Sequence, residues 1–133
     1  KGDIGSEAVT IKVPIKKNAI RSGERLVKVN SEGQYAESEF VRTQLFQDTC
    51  LVDVTIKTGR THQIRVHAQY MEHAIAGDTK YGDQNLNKVL RSSGLKRLFL
   101  HASQLKLIEY GDKGLSINAP LSTDLSSFLK SHI

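Results

Sequence analysis

The sequence predicts an α+β domain with a largely antiparallel mixed sheet and a few helices. Three observations carry this. Residues 36–46 and 49–57 are two β-prone runs split by Gln47-Asp48, which signals a hairpin. From Gln63 the apolar spacing changes to that of a helix, with Ile64, Ala68 and Met71 at i, i+4, i+7. Strand pairs then mix with helices without the βαβ rhythm of a parallel sheet. At 133 residues the chain is read as one domain, residues 1–133.

The elements follow in order. Residues 8–15 alternate and are rich in β-branched side chains, so they read as one strand with Pro14 at an edge. Residues 16–25 read as a loop, 26–29 as a brief strand and 31–33 as a turn. The hairpin of 36–46 and 49–57 feeds a turn and the helix from Gln63. Two glycines and two aspartates make residues 73–83 a loop. Leu86, Val89 and Leu90 have helical spacing, ended by Ser92-Ser93-Gly94. Residues 99–110 read as a strand, 111–114 as a hairpin turn and 115–118 as the return strand. Ser122 or Thr123 is expected to cap a last helix with Leu125, Phe128 and Leu129 on one face.

Charge is unevenly placed. The formal net charge is +5, yet residues 57–106 alone hold nine basic side chains against three acidic ones. A local basic field of this kind favours a polyanion such as nucleic acid. The single cysteine, Cys50, excludes an internal disulfide and fits a reducing compartment. No apolar run approaches the ~20 residues of a membrane helix. The start is polar, without a signal-peptide pattern, and opens on Lys1 rather than methionine, as expected of a fragment or processed product. A cytoplasmic location is expected.

The stretch Thr58-Gly59-Arg60-Thr61-His62-Gln63-Ile64-Arg65-Val66-His67 is the candidate site. It reads as a strand end, a glycine turn carrying Arg60, and a helix with Thr61 as N-cap. Exposed N–H groups at a helix start and two arginines suit an anion, phosphate above all. A solvated helix with Arg65 paired to a nearby acid fits the spacing equally well. His62 and His67 are five apart and do not stack on one face, no His-Glu-x-x-His occurs, and Cys50 offers no zinc pair, so no metal site is predicted. Asp78 and Asp83 read as loop carboxylates, with Asp78 capping or forming an Asx-turn.

That ten-residue block, followed by His73-Ala74-Ile75-Ala76-Gly77-Asp78 and Tyr81-Gly82, resembles a signature block of the RluA family of pseudouridine synthases. Arg97-Leu98-Phe99-Leu100-His101-Ala102 resembles the family's later leucine-containing block. The resemblance implies isomerisation of uridine to pseudouridine in RNA, with large-subunit ribosomal RNA as the expected partner and with no metal or cofactor. In the family an aspartate attacks a flipped-out nucleotide, an arginine pairs with that aspartate, a tyrosine stacks on the base and an aliphatic residue walls the pocket. The arginine corresponds to Arg65 and the aliphatic wall to Leu100. A guanidinium beside a buried carboxylate favours its ionised form and keeps its own charge. Arg60, Thr61, His62, Gln63, His67 and Lys80 are the expected RNA contacts.

The family's nucleophile lies in a His-Arg-Leu-Asp-x-x-Thr-Ser-Gly block. Neither it nor the following tyrosine block is present in this sequence. The chain is therefore expected to be the C-terminal half of the catalytic fold, partnered by an N-terminal half that carries the aspartate, and to be inactive alone. Where the family has Gly-His-Pro, this chain has Glu72-His73-Ala74, expected to loosen a turn without touching the chemistry. The alternative is a non-catalytic RNA-binding module of the same fold.

Overall fold

The computed structural model describes residues 1–17, 26–109 and 114–132. In chain order its elements are β1 (Val9–Ile11), β2 (Ile15–Lys17), β3 (Val27–Val29), β4 (Ser38–Leu45), β5 (Cys50–Ile56), α1 (Gln63–Tyr70), α2 (Gln84–Ser92), β6 (Gln104–Leu107), β7 (Leu115–Asn118) and α3 (Thr123–Lys130). Among the described residues every strand pairing is antiparallel, in sheets ordered β1-β4-β5, β2-β3 and β6-β7. The α+β class read from the sequence is the one observed.

β4 and β5 form the expected hairpin, with Ser38 opposite Ile56 and Leu45 opposite Cys50. A register shift between Arg42 and Gln44 marks a bulge. The strand predicted over residues 8–15 is instead two. Val9–Ile11 pairs with β4, and Ile15–Lys17 pairs with β3. Pro14 lies at the break; it has no N–H for a ladder, and its carbonyl accepts from Asn30 N at 3.0 Å. The loop predicted over 16–25 gives way to strand at Lys16 and Lys17, and its remainder lies outside the described residues. The strand predicted over 99–110 shrinks to Gln104–Leu107. The turn predicted at 111–114 lies outside the described residues except for Gly114.

Two apolar clusters hold these elements. Ile15, Val27, Ala36, Val66 and Tyr81 form one, which seats α1 against β2 and β3. Leu90, Leu95 and Leu125 form the other, with Ala76, Leu86, Phe99, Leu121 and Phe128 packed on it. The second cluster locks α2 to α3 and to the strand-free segment before β6. Full burial of a side chain such as Leu125 contributes about 1.5–3 kcal/mol. Asp83 caps α2 by accepting from Asn85 N and Leu86 N, each at 2.9 Å. The β6-β7 hairpin differs: Leu105 faces Ile117 and Leu107 faces Leu115 across it, and all four are exposed. No described helix is long and apolar enough to cross a membrane.

Candidate functional site

The turn between β5 and α1 is built around one side chain, Gln63. Its Oε1 accepts from Thr58 Oγ1 at 2.7 Å and from Arg60 N at 3.0 Å. Its Nε2 donates to Glu37 O and to Ser38 Oγ, both at 2.9 Å. Thr58 Oγ1 in turn accepts from Glu37 N. A single amide thus ties the turn to the start of β4. The relay continues inward. Ser38 Oγ lies 3.0 Å from His67 Nδ1, and His67 Nε2 lies 3.1 Å from Val13 O. A carbonyl only accepts, so Nε2 carries the proton and Nδ1 accepts from Ser38. Burial holds His67 below the usual imidazole range and so neutral.

These contacts place two of the expected RNA contacts inside the fold. Gln63 is 3% exposed and His67 0% exposed, with their polar atoms engaged inside the chain. Both are turned inward and shape the turn. The helix phase explains this: Gln63, Val66, His67 and Ala68 form the inward face, so of the predicted Ile64, Ala68 and Met71 only Ala68 lies on it. The helix cap is also shifted. His62, not Thr61, is the cap residue, in the left-handed region at φ 54 and without a side-chain capping bond.

Arg65 projects from α1 toward the loop after it. Its Nε donates to Asp78 Oδ2 and its Nη2 to Asp78 Oδ1, each at 2.8 Å. Asp78 is 1% exposed, and its Oδ1 also accepts from Lys80 N and Tyr81 N at 2.9 Å. The Asx-turn reading of Asp78 therefore holds, and the same carboxylate is the acid that pairs with Arg65. Burial alone would raise the Asp78 carboxyl, but Arg65 and the two amides hold it below its ordinary range. The Arg65 guanidinium is pushed further up by its bond to Asp78.

Tyr81 closes the group. Its ring lies 4.9 Å from Arg65 Cζ, within cation–π range. Its hydroxyl accepts from Val27 N at 3.1 Å and sits 2.9 Å from His62 Nδ1. Burial, then the charges of Arg65 and Lys80, hold His62 below its ordinary range. His62, Arg65, Asp78 and Tyr81 therefore form one bonded cluster at the start of α1.

The remaining predicted residues lie around it. Arg60 is exposed and donates through Nε to Tyr35 O at 3.0 Å. Arg60 and Thr61 border a cavity of about 260 Å³ with Lys16, Lys17, Val27 and Gln34. Lys80 Nζ stands 6.0 Å from the Tyr81 ring centroid. Half-buried Leu100 follows a segment docked on the Asp78 loop, where Phe99 N bonds Ala76 O at 2.9 Å. Among the described residues no three of His, Cys, Asp or Glu are gathered to hold a metal ion.

No family model matches the chain. Curated proteins do. Ribosomal large subunit pseudouridine synthase C of Pasteurella multocida (strain Pm70) is 41% identical over 131 residues, which is 97% of this chain. This chain is related to the pseudouridine synthases. The synthases C of Yersinia pestis and Escherichia coli (strain K12) are 43% and 40% identical over 127 and 133 residues. The chain spans 40%, 39% and 42% of the lengths of these three pseudouridine synthases. Human RNA Pseudouridylate Synthase Domain Containing 1 superposes with a TM-score of 0.74 at 25% identity, covering 96% of this chain and 55% of that one. Human RNA Pseudouridylate Synthase Domain Containing 4 gives 0.68 at 24%, covering 93% and 56%. The fold is that of the pseudouridine synthases.

Sequence reasoning missed Ser38 and Tyr81 as members of the site and gave Asp78 only a loop role. Ser38 carries no motif. Asp78 and Tyr81 lie in the matched pseudouridine synthase block, and that adjacency was the signal available.

Proposed function

We propose that this chain supplies the C-terminal part of the active site of a pseudouridine synthase acting on uridine in large-subunit ribosomal RNA. Arg65 would pair with the nucleophilic aspartate, and Leu100 would wall the base pocket. The arrangement of Arg65 supports the reading most. Its guanidinium is oriented by two hydrogen bonds and an aromatic face, at the mouth of a turn that holds the basic Arg60. A preorganised cation of this kind keeps a neighbouring carboxylate ionised and aligned.

The chain alone is expected to be inactive. The acid that Arg65 reaches is Asp78, whose carboxylate is buried and committed to Arg65 and two amides. Asp83 is occupied as the cap of α2. An N-terminal part of the catalytic domain would bring the nucleophile. It would also give the apolar face of Leu105, Leu107, Leu115 and Ile117 something to pack on, since a lone two-stranded hairpin is marginal in water.

The test is tritium release from uridine-labelled ribosomal RNA, first with this chain, then with an added N-terminal part carrying the aspartate. Activity only in the mixture supports the proposal. RNA binding without activity in either case favours a non-catalytic binding module. Activity of the chain alone overturns the assignment of the nucleophile.

A further inference from the structure

A guanidinium has two edges that can each meet a carboxylate through a pair of parallel N–H donors. One edge is Nε with Nη2; the other is Nη1 with Nη2. In this chain Asp78 fills the Nε–Nη2 edge completely, with both bonds at 2.8 Å. The guanidinium carbon lies 4.9 Å from the Tyr81 ring centroid, which limits its tilt. Among the described residues, Nη1 makes no side-chain hydrogen bond or ion pair within the chain.

Asp78 is itself immobile. It is 1% exposed, and its Oδ1 accepts from the amides of Lys80 and Tyr81. The flanking glycines pin the loop. A Cβ on Gly77 would stand 2.1 Å from Arg97 O, and one on Gly82 would stand 2.1 Å from Asp78 O. Carboxylate, loop and arginine thus form one rigid unit.

We propose that Asp78 is a positioning residue that holds Arg65 by its side edge, so that a carboxylate from outside this chain docks only on the Nη1–Nη2 edge. The inference rests on the proposed function and names how Arg65 serves it. Asp78 does not touch the reacting atoms. It fixes the plane and direction of the group that does.

Asp78→Asn separates this role from folding. Asparagine keeps an oxygen for the Lys80 and Tyr81 amides, so the Asx-turn survives. It replaces Oδ2, the acceptor for Arg65 Nε, with an NH2 that opposes it. In this chain alone, the Arg65 Nε–H NMR resonance should exchange slowly in the wild type and lose that protection in Asp78→Asn. In the full-length protein, the single-turnover rate should fall about 100-fold, as for a catalytic group misplaced by about 1 Å. The RNA dissociation constant should change less than twofold. Asp83→Asn, which alters an acid that caps α2 and does not contact Arg65, should keep the wild-type rate.

If Asp78→Asn does not fold, Asp78→Glu serves instead. It keeps the charge but displaces the guanidinium, and the same loss of rate at unchanged affinity is expected. An unprotected Nε–H in the wild type overturns the clamp. So does a wild-type rate in a folded Asp78 variant of an active protein. A full-length wild type that makes no pseudouridine overturns the proposed function, and the NMR measurement still decides the clamp.

Discussion

Ser38 Oγ joins Gln63 to His67: it accepts from Gln63 Nε2 at 2.9 Å and gives its own proton to His67 Nδ1 at 3.0 Å. Ser38 is fully buried. Ser38→Ala should therefore destabilise the chain by about 1–3 kcal/mol, the cost of leaving buried polar partners unpaired. Gln63→Glu should cost more, because a carboxylate oxygen would face the Glu37 carbonyl. Urea unfolding measures both.

Gly77→Ala should be among the most damaging single-methyl additions. The residue sits at φ +75, and its new Cβ would stand 2.1 Å from Arg97 O and 2.8 Å from Arg97 C. These are backbone atoms and cannot swing aside. Strain and overpacking together should cost about 3 kcal/mol or more. The same push would displace the segment leading to Leu100, so activity of the full-length protein should fall further than stability alone explains.

Acid should weaken the fold from pH 6.5 downward. Burial lowers the pKa of His67 in the folded chain below its ordinary 6.5, while the unfolded chain keeps the ordinary value. The unfolded state therefore binds the proton first. Stability from this group is full above 6.5 and is lost as pH falls, by at most about 1.4 kcal/mol per unit. His62 is shifted in the same direction and adds to the slope. Thermal unfolding between pH 8 and 5 should show the decline. His67→Gln should be less stable at every pH yet show a shallower slope.

Arg60 and Arg65 should differ in what they contribute to RNA. Arg60 is exposed on the turn, and Arg60→Ala should weaken binding across sequences and reduce the salt slope by about 1. Arg65→Lys should leave affinity nearly intact in the full-length protein and impair the single-turnover rate. Lysine keeps a charge but cannot hold two carboxylates by two edges. Filter binding over several salt concentrations and rapid-quench tritium release separate the two effects.

Glu72→Gly should stabilise the chain by about 0.5–1 kcal/mol. Glu72 follows the cap of α1 at φ 66, with its N–H bonded to Gln69 O and the next amide, His73 N, bonded to Ala68 O. This is the bond pattern of a Schellman stop, where glycine normally sits. The turn expected to be loosened by glutamate is closed, with a residue that strains it. A thermal melt of the variant measures the relief.

The sequence showed those parts whose signal is local. The β4-β5 hairpin, α1, α2, α3 and β7 all follow from period, turn residues and caps within a few positions. Arg65 was legible through the block that contains it. Its partner was not, because Asp78 lies 13 positions further on and no periodicity links a helix to an irregular loop. Ser38 was invisible for the same reason: it meets Gln63 across 25 positions. The inward burial of Gln63 and His67 ran against polarity, which normally places such side chains outside. Only the closed relay through Ser38 to Val13 O makes that burial tolerable.

Helix α1 lies between a left-handed His62 and a left-handed Glu72, with nine residues between them. Continuing a right-handed helix through either residue would require its backbone to flip out of that region. The element therefore has no room to lengthen, to slip by a turn or to rotate about its own axis by winding at an end. Arg65 can travel only if the whole rod travels with it. Any adjustment of this arginine to an arriving RNA must then be sought in the partner that approaches, and not in the helix that bears it.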